Sequence, residues 1–316
     1  MRLSKGLTCV VLAGSIATAL PRFYWFQEVN SFFTPLYLVL SLLLIPILFL
    51  NRKSYSALFV FPALLLLLYF SKVFIGNLAP FYLPVRSNYL DPENAGDTPL
   101  TILYASLSLE NRETEALKSA IVRENPDVVL LLEVDRRMSE SLALGKLYPS
   151  RVEMLDLARR SLAIYSKNPF IGKPLPNLGE DEPPAIVAQI EVAKDRNLDL
   201  TLINSPVPFP QESFFHARVI QRRVAMRLRH SDAPALVIGN LNSPPWTLLY
   251  LGFLYSARLD DLMWGKGLGG DWHPIEGVPG TRIDHIMGKG AVRPESVERL
   301  KNIGKGNRGF LIKVRL

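Results

Sequence analysis

The sequence predicts an α/β (α+β) sandwich of two packed sheets, preceded by about three transmembrane helices. Two observations carry that expectation. Apolar residues crowd into the first 80 positions, and from about residue 100 short apolar β-like runs alternate with a few well-separated helical stretches. The chain shows no internal repeat.

The 316 residues have a mean hydropathy of +0.16, which is apolar for a soluble protein. Three runs account for the excess and predict helices at about 6–24, 33–50 and 55–76, a membrane module spanning 1–78. Crossing a hydrocarbon core of ~30 Å takes about 20 residues of helix. The second and third runs satisfy that length. The first is shorter, and its basic start and Ala17-Thr18-Ala19 also suit a cleaved signal peptide. The aromatics Phe23, Tyr24, Trp25 and Phe26, placed where an interfacial belt would lie, favour a retained helix.

Arg2 and Lys5 flank one end of the module, and Arg52 and Lys53 sit in the tight turn between the second and third runs. The positive-inside rule puts both in the cytoplasm. Three crossings then place the remainder on the periplasmic, extracytoplasmic side of a multi-pass protein of the inner (cytoplasmic) membrane. Residues 79–99, rich in Pro, Asn, Gly and Asp, read as a linker to a domain at 100–316.

Charge says little about ligands. The net charge is +7, but the part beyond residue 98 holds 29 basic and 25 acidic residues, nearly balanced. Arg218, Arg222, Arg223, Arg227 and Arg229 fall at helical spacing and read as a solvated amphipathic face, with a phosphate- or anionic-lipid-binding face as the alternative. Nothing calls for nucleic acid. The single cysteine, Cys9, excludes an intrachain disulfide. His216, His230 and His273 have no second His or Cys at metal-ligand spacing, which argues against zinc. The glycine-rich stretch 265–270 lacks the spacing and following helix of a phosphate loop.

Within the domain, strands are expected at 100–104, 128–132, 161–165, 185–192, 198–204, 235–238, 282–287 and 310–314. Residues 113–124 place Ala116, Leu117, Ala120 and Ile121 on one helical face and stop before Pro126. Further helices are expected at 214–229 and 246–252.

The segments NPDVVLLLEVD, SLAIYS, LTLIN-P, GNLN-PPW and RIDHIM, in that order, resemble the endonuclease/exonuclease/phosphatase superfamily, the deoxyribonuclease-I-like fold, and its membrane-anchored bacterial branch in particular. The resemblance implies metal-dependent phosphoester chemistry. There an acidic residue holds Mg²⁺, a His–Asp pair handles protons, and Asn side chains orient water and phosphate. Carried onto this chain, Glu133 matches the metal-binding Glu, Asn242 the Asn of the G-D-L-N motif, and Asp284 and His285 the late Asp-His step. Other family positions are substituted. Ser106 stands for a metal-assisting Asn, Ser205 for a His, Asn240 for the Asp of G-D-L-N, and Gly306 and Asn307 for the closing Asp and His.

The substitutions at Ser205, Asn240, Gly306 and Asn307 remove charged or proton-handling groups. Such groups contribute on the order of 10²–10⁴-fold each and act non-additively. The expectation is a pseudoenzyme with only remnants (Asn242, Asp284, His285) and vestigial metal binding at Glu133. It would need no cofactor, or Mg if active, and would serve as a binding or assembly subunit with the lipid bilayer and other membrane-protein subunits as partners. A phosphodiesterase, phosphatase or nuclease with a rearranged site is the alternative. An anion or lipid-headgroup sensor using Lys305 and Arg308, in the basic loop 301–308, is a second. The plainer readings are a solvent-facing Glu133, a structural Asp284–His285 pair, and Asn240 and Asn242 as turn formers.

Overall fold

The computed structural model describes residues 24–50, 87–107, 114–155, 161–176, 184–266 and 281–316, together with residues 9 and 13. Two six-stranded mixed sheets stack face to face. The first runs β11 (Arg293–Arg299), β12 (Arg308–Arg315), β1 (Pro99–Ser106), β2 (Val128–Leu132), β4 (Leu162–Ser166) and β3 (Ser150–Met154). The second runs β5 (Leu175–Pro176), β6 (Ala185–Ala193), β7 (Arg196–Asn204), β8 (Ala235–Asn240), β10 (Asp284–Lys289) and β9 (Asp260–Asp261). The expected two-sheet sandwich is therefore present.

Strand alternation sends successive side chains to opposite faces. Ile102 and Tyr104 from β1, Val128, Leu130 and Leu132 from β2, Leu200 and Leu202 from β7, Ile238 from β8 and Ile286 from β10 form the layer between the sheets. The opposite parity faces outward. Leu103, Val129 and Leu131 are covered by α3 (Glu115–Glu124) and α4 (Arg136–Leu142). On the other sheet, Ile203, Val237 and Met287 are covered by α5 (Gln211–Arg229) and α6 (Leu248–Ala257). Both faces of each central strand are buried, which is why those strands read as unbroken apolar runs.

Helix ends follow their caps. Asp135 accepts the Met138 N–H at 2.7 Å to start α4, and Thr247 accepts the Tyr250 N–H at 3.3 Å to start α6. Asn125, in the left-handed region at φ 45°, ends α3.

Among the elements described in full, α1 (Tyr24–Ser31) and α2 (Thr34–Leu50) precede the sandwich. The expected helix at 33–50 is α2, an uncharged stretch of 17 residues. Among the described residues no helix is long and apolar enough to cross a membrane. The expected helix at 55–76, and that at 6–24 apart from residues 9, 13 and 24, lie outside the described residues. Of the segment expected as a linker, the described part is tied to the sandwich: the N–H groups of Asn88, Tyr89 and Leu90 donate to one oxygen of Asp260 at 3.0, 2.6 and 2.8 Å.

Candidate functional site

The inter-sheet core ends in a polar layer. Registers place Ser106 opposite Arg308 and Leu132 in one sheet, and Asn204 opposite Asn240, itself opposite Asp284, in the other. Ser106, Asn204, Asn240, Asp284 and Arg308 share the parity of the inter-sheet core, so all five belong to the face that looks across the sandwich. Topology alone brings together residues separated by up to 202 positions.

The centre of this layer is an ion pair. Arg308 Nε donates to Asp284 Oδ2 at 2.9 Å, and the Tyr104 hydroxyl donates to Asp284 Oδ1 at 2.8 Å. Arg308 Nη2 reaches Ser106 Oγ at 3.1 Å. The Asp284 side chain is fully buried and that of Arg308 is 27 % exposed. Both oxygens of Asp284 are thus satisfied, and both donors reach it from the other sheet. Arg308, expected as an anion-binding member of a loop, is the first residue of β12 and commits two nitrogens within the protein.

Asp284 and His285 do not pair. They are consecutive in β10 and point to opposite faces, so the structural pair expected from their adjacency is corrected by strand alternation. His285 points toward α6. Its Nε2 lies 2.9 Å from the Ser243 carbonyl, and its ring lies 4.2 Å from that of Tyr250. Burial, reinforced by the nearby Arg282 guanidinium, holds its pKa well below the usual histidine value, against a smaller upward pull from the Ser243 carbonyl. This is a neutral imidazole built into the helix-side core. Arg282 itself forms a buried ion pair with Asp261, which also accepts the Tyr250 hydroxyl at 2.6 Å.

Asn240 and Asn242 make a turn. Asn240 Oδ1 accepts the Asn242 N–H at 2.7 Å, Asn242 sits at φ 48°, and Asn242 Nδ2 donates to the Ser205 carbonyl at 2.7 Å. The Ser205 N–H donates to the Asn240 carbonyl at 2.8 Å. Its hydroxyl is buried without a hydrogen-bond partner among the described residues. Glu133, directly after β2, is half-buried in the left-handed region at φ 57°, with its N–H on the Ser161 carbonyl at 2.8 Å. Asn307 closes the turn before β12, its Nδ2 donating to the Ile303 carbonyl at 2.8 Å, while Lys305 and Gly306 are exposed in that turn.

A hard divalent cation wants several oxygen donors and at least one carboxylate free to face it. Among the described residues no group of three or more His, Cys, Asp or Glu could hold a metal ion. Asp284 is already bonded on both oxygens, and a guanidinium rests on Ser106. As placed here, Asp284 and Ser106 do not offer Mg²⁺ a free carboxylate.

Two facing mixed sheets with outer helices, and a polar layer where strands of both sheets end, make an α/β sandwich. A family model described as Endonuclease/Exonuclease/phosphatase family matches residues 102–304. The chain belongs to that family.

Solved structures agree on the fold. An endonuclease/exonuclease/phosphatase from Beutenbergia cavernae is 17% identical with a TM-score of 0.54, covering 69% of this chain and 72% of its own. An AP endonuclease from Archaeoglobus fulgidus is 14% identical with a TM-score of 0.54, covering 67% and 98%. The 3' phosphatase NExo from Neisseria, bound to a product DNA hairpin, is 13% identical with a TM-score of 0.53, covering 67% and 98%. No curated protein matches by sequence.

The sequence had singled out Glu133, Asn242, Asp284, His285 and the substituted Ser106, Ser205, Asn240, Gly306 and Asn307. Tyr104 as a partner of Asp284 was missed, as was the Arg282–Asp261–Tyr250 cluster. The signal for Tyr104 was present: a tyrosine inside a buried strand has a hydroxyl that needs a partner.

Proposed function

We propose that this chain is a catalytically inactive, membrane-anchored member of its family, a multi-pass protein of the inner membrane whose extracytoplasmic domain serves as a binding or assembly subunit of an envelope complex. The observation that carries the reading is the state of Asp284. Where proton-handling chemistry needs an available carboxylate, this one is buried, bonded on both oxygens and neutralised by Arg308. The neighbouring groups support it. Asn240 and Ser205 carry no charge, Asn242 is engaged in a turn, and His285 is neutral and faces the opposite side of its sheet.

The anchoring half rests on the apolar sequence of the first 80 residues and on α2, whose 17 residues carry no charge. About 25 Å of helical rise falls short of a full span, so flanking residues would complete the crossing.

The test uses the full chain in mild detergent. Hydrolysis of bis-p-nitrophenyl phosphate, p-nitrophenyl phosphate and DNA is measured with Mg²⁺ and Mn²⁺, alongside recovery of partners in stoichiometric amount. The expected result is no turnover above background and co-purification of other membrane subunits. Turnover that disappears in Glu133→Ala establishes a rearranged active site and overturns the proposal. Isolation as a lone monomer overturns the assembly role.

A further inference from the structure

Helix α5 has two functional sides. One is buried through Phe214, Ala217, Gln221, Val224 and Leu228. The other presents Phe215, Arg218, Val219, Arg222, Met226 and Arg229, whose spacing of three, four and seven residues makes a single exposed stripe. Phe215 is 50 % exposed and Met226 49 %. A neighbouring stripe comes from α6, a helix with no charged residue, which exposes Leu248, Leu251 and, at 78 %, Tyr255.

A groove of about 640 Å³ lies between the two stripes, lined by Arg218, Arg222 and Arg229. Among the described residues the only carboxylate lining it is Glu28 of α1, which is buried. Glu212, at the start of α5, lies 4.0 Å from His216 and outside the lining.

The groove is also joined to the N-terminal helices. Glu28 Oε1 accepts the Leu249 N–H at 2.7 Å, Trp246 Nε1 donates to the Ser31 carbonyl at 2.7 Å, and Trp25 packs against Phe214 and Leu249. Only two residues separate α1 from α2, which exposes Val39, Leu42 and Leu43. A cationic, apolar face therefore begins beside the segment read as entering the bilayer.

We propose that the α5–α6 face docks on the surface of the same bilayer, with Arg218, Arg222 and Arg229 over anionic phospholipid headgroups and Phe215, Met226, Leu251 and Tyr255 at the acyl boundary. Basic residues beside interfacial aromatics and aliphatics are the composition such a surface selects. Docking would fix the orientation of the sandwich and the direction in which its polar layer faces. The inference rests on the anchored reading of α2.

The test labels the full chain with bimane in nanodiscs, at Tyr255→Cys in a Cys9→Ser background, with Leu43→Cys reporting anchoring and the exposed Val122→Cys on α3 as the remote control. Doxyl-lipid quenching is compared in phosphatidylcholine discs with and without phosphatidylglycerol. The expected result is quenching at position 255 with phosphatidylglycerol, none at 122, and loss of the 255 signal in Arg218→Gln/Arg222→Gln/Arg229→Gln. Roughly fivefold per arginine amounts to about a hundredfold in the docked fraction. Quenching at 43 without quenching at 255 overturns docking and leaves anchoring standing. No quenching at 43 overturns anchoring and docking together. A 255 label shielded from aqueous iodide but not quenched by doxyl lipid means that a protein covers this face, and also overturns the proposal.

Discussion

Arg308 Nε stands 2.9 Å from Asp284 Oδ2, and this contact ties the first residue of the last strand in one sheet to the first residue of β10 in the other. Around it, apolar side chains from both sheets fill most of the layer between them. A charge pair at the end of such a layer sets which rotations and slides of the sheets are tolerated, because Asp284 is fully buried and the Arg308 guanidinium and Tyr104 hydroxyl help offset the cost of its charge.

Removing the cation is accordingly expected to cost more than removing the anion. Arg308→Ala leaves a buried carboxylate without its guanidinium. The expected loss is about 2–4 kcal/mol, toward the lower end of what breaking a buried pair costs because Arg308 is partly exposed. Asp284→Asn keeps an acceptor for Tyr104 and leaves a guanidinium that can turn to water, so its expected loss is about 1 kcal/mol. Urea unfolding of the two variants gives the order; equal losses would show that the pair contributes packing rather than charge compensation.

The central strands were legible because both their faces are apolar: the run at 128–132 coincides with β2, and 198–204 and 310–314 fall inside β7 and β12. Edge strands were not. Ser150–Met154 and Arg293–Arg299 border the first sheet, carry charges along their length and are mostly half-exposed, so they lack the periodic signal of a core strand. Helix α4 was missed for its brevity, although Asp135 is a recognisable N-cap. In the site, residue types were readable while directions were not. Adjacent letters Asp284 and His285 suggest a pair, and only the strand assignment shows that they diverge. Arg308 read as loop because glycines at 304 and 306 precede it, and its ion pair depends on a contact with the other sheet.

His285 makes acid stability depend on its own neutrality. Its native pKa lies well below the unfolded value of about 6.5, so on acidification the unfolded chain takes up a proton before the folded one. Its contribution is fully present above about pH 7 and is lost as pH falls below that toward the native pKa. The slope is limited to about 1.4 kcal/mol per pH unit. His285→Gln is expected to narrow the difference in Tm between pH 8 and pH 5; an unchanged difference would mean that the imidazole is solvated.

Two glycines should respond to alanine with opposite signs. Gly239 adopts φ +150°, and a Cβ there would lie 1.9 Å from the Ile203 carbonyl oxygen, backbone of the adjacent parallel strand. Gly239→Ala must displace β7 from β8 and with it the Asn204–Asn240 register; the expected loss exceeds about 3 kcal/mol or prevents folding. Gly252 lies in α6 with nothing within 4 Å of its would-be Cβ. Gly252→Ala is expected to add about 0.5–1 kcal/mol by restricting the unfolded chain in a helix-favouring residue. Chemical denaturation of both separates steric from entropic roles.

Glu28 is expected to make the seating of α1 on the sandwich sensitive to alkaline pH. Burial raises its pKa from 4.5 to about 7, partly opposed by hydrogen bonds from the Leu249 backbone, the Thr247 side chain and the Leu248 backbone. Because the native value is the higher one, the seated state favours the protonated acid, and this stabilisation is complete below about pH 4.5 and lost as pH rises through 7. The window is worth on the order of 3 kcal/mol. Hydrogen exchange of the Leu249 amide, which Glu28 accepts at 2.7 Å, should accelerate between pH 6 and pH 8 beyond its intrinsic rise. Glu28→Gln keeps an acceptor without a titrating proton and should hold that amide protected across the range. Trp246→Phe, which removes the donor to Ser31, should weaken seating by about 1 kcal/mol at every pH. If the Gln variant follows the wild-type pH profile, the proton lies elsewhere and Glu28 acts only through packing.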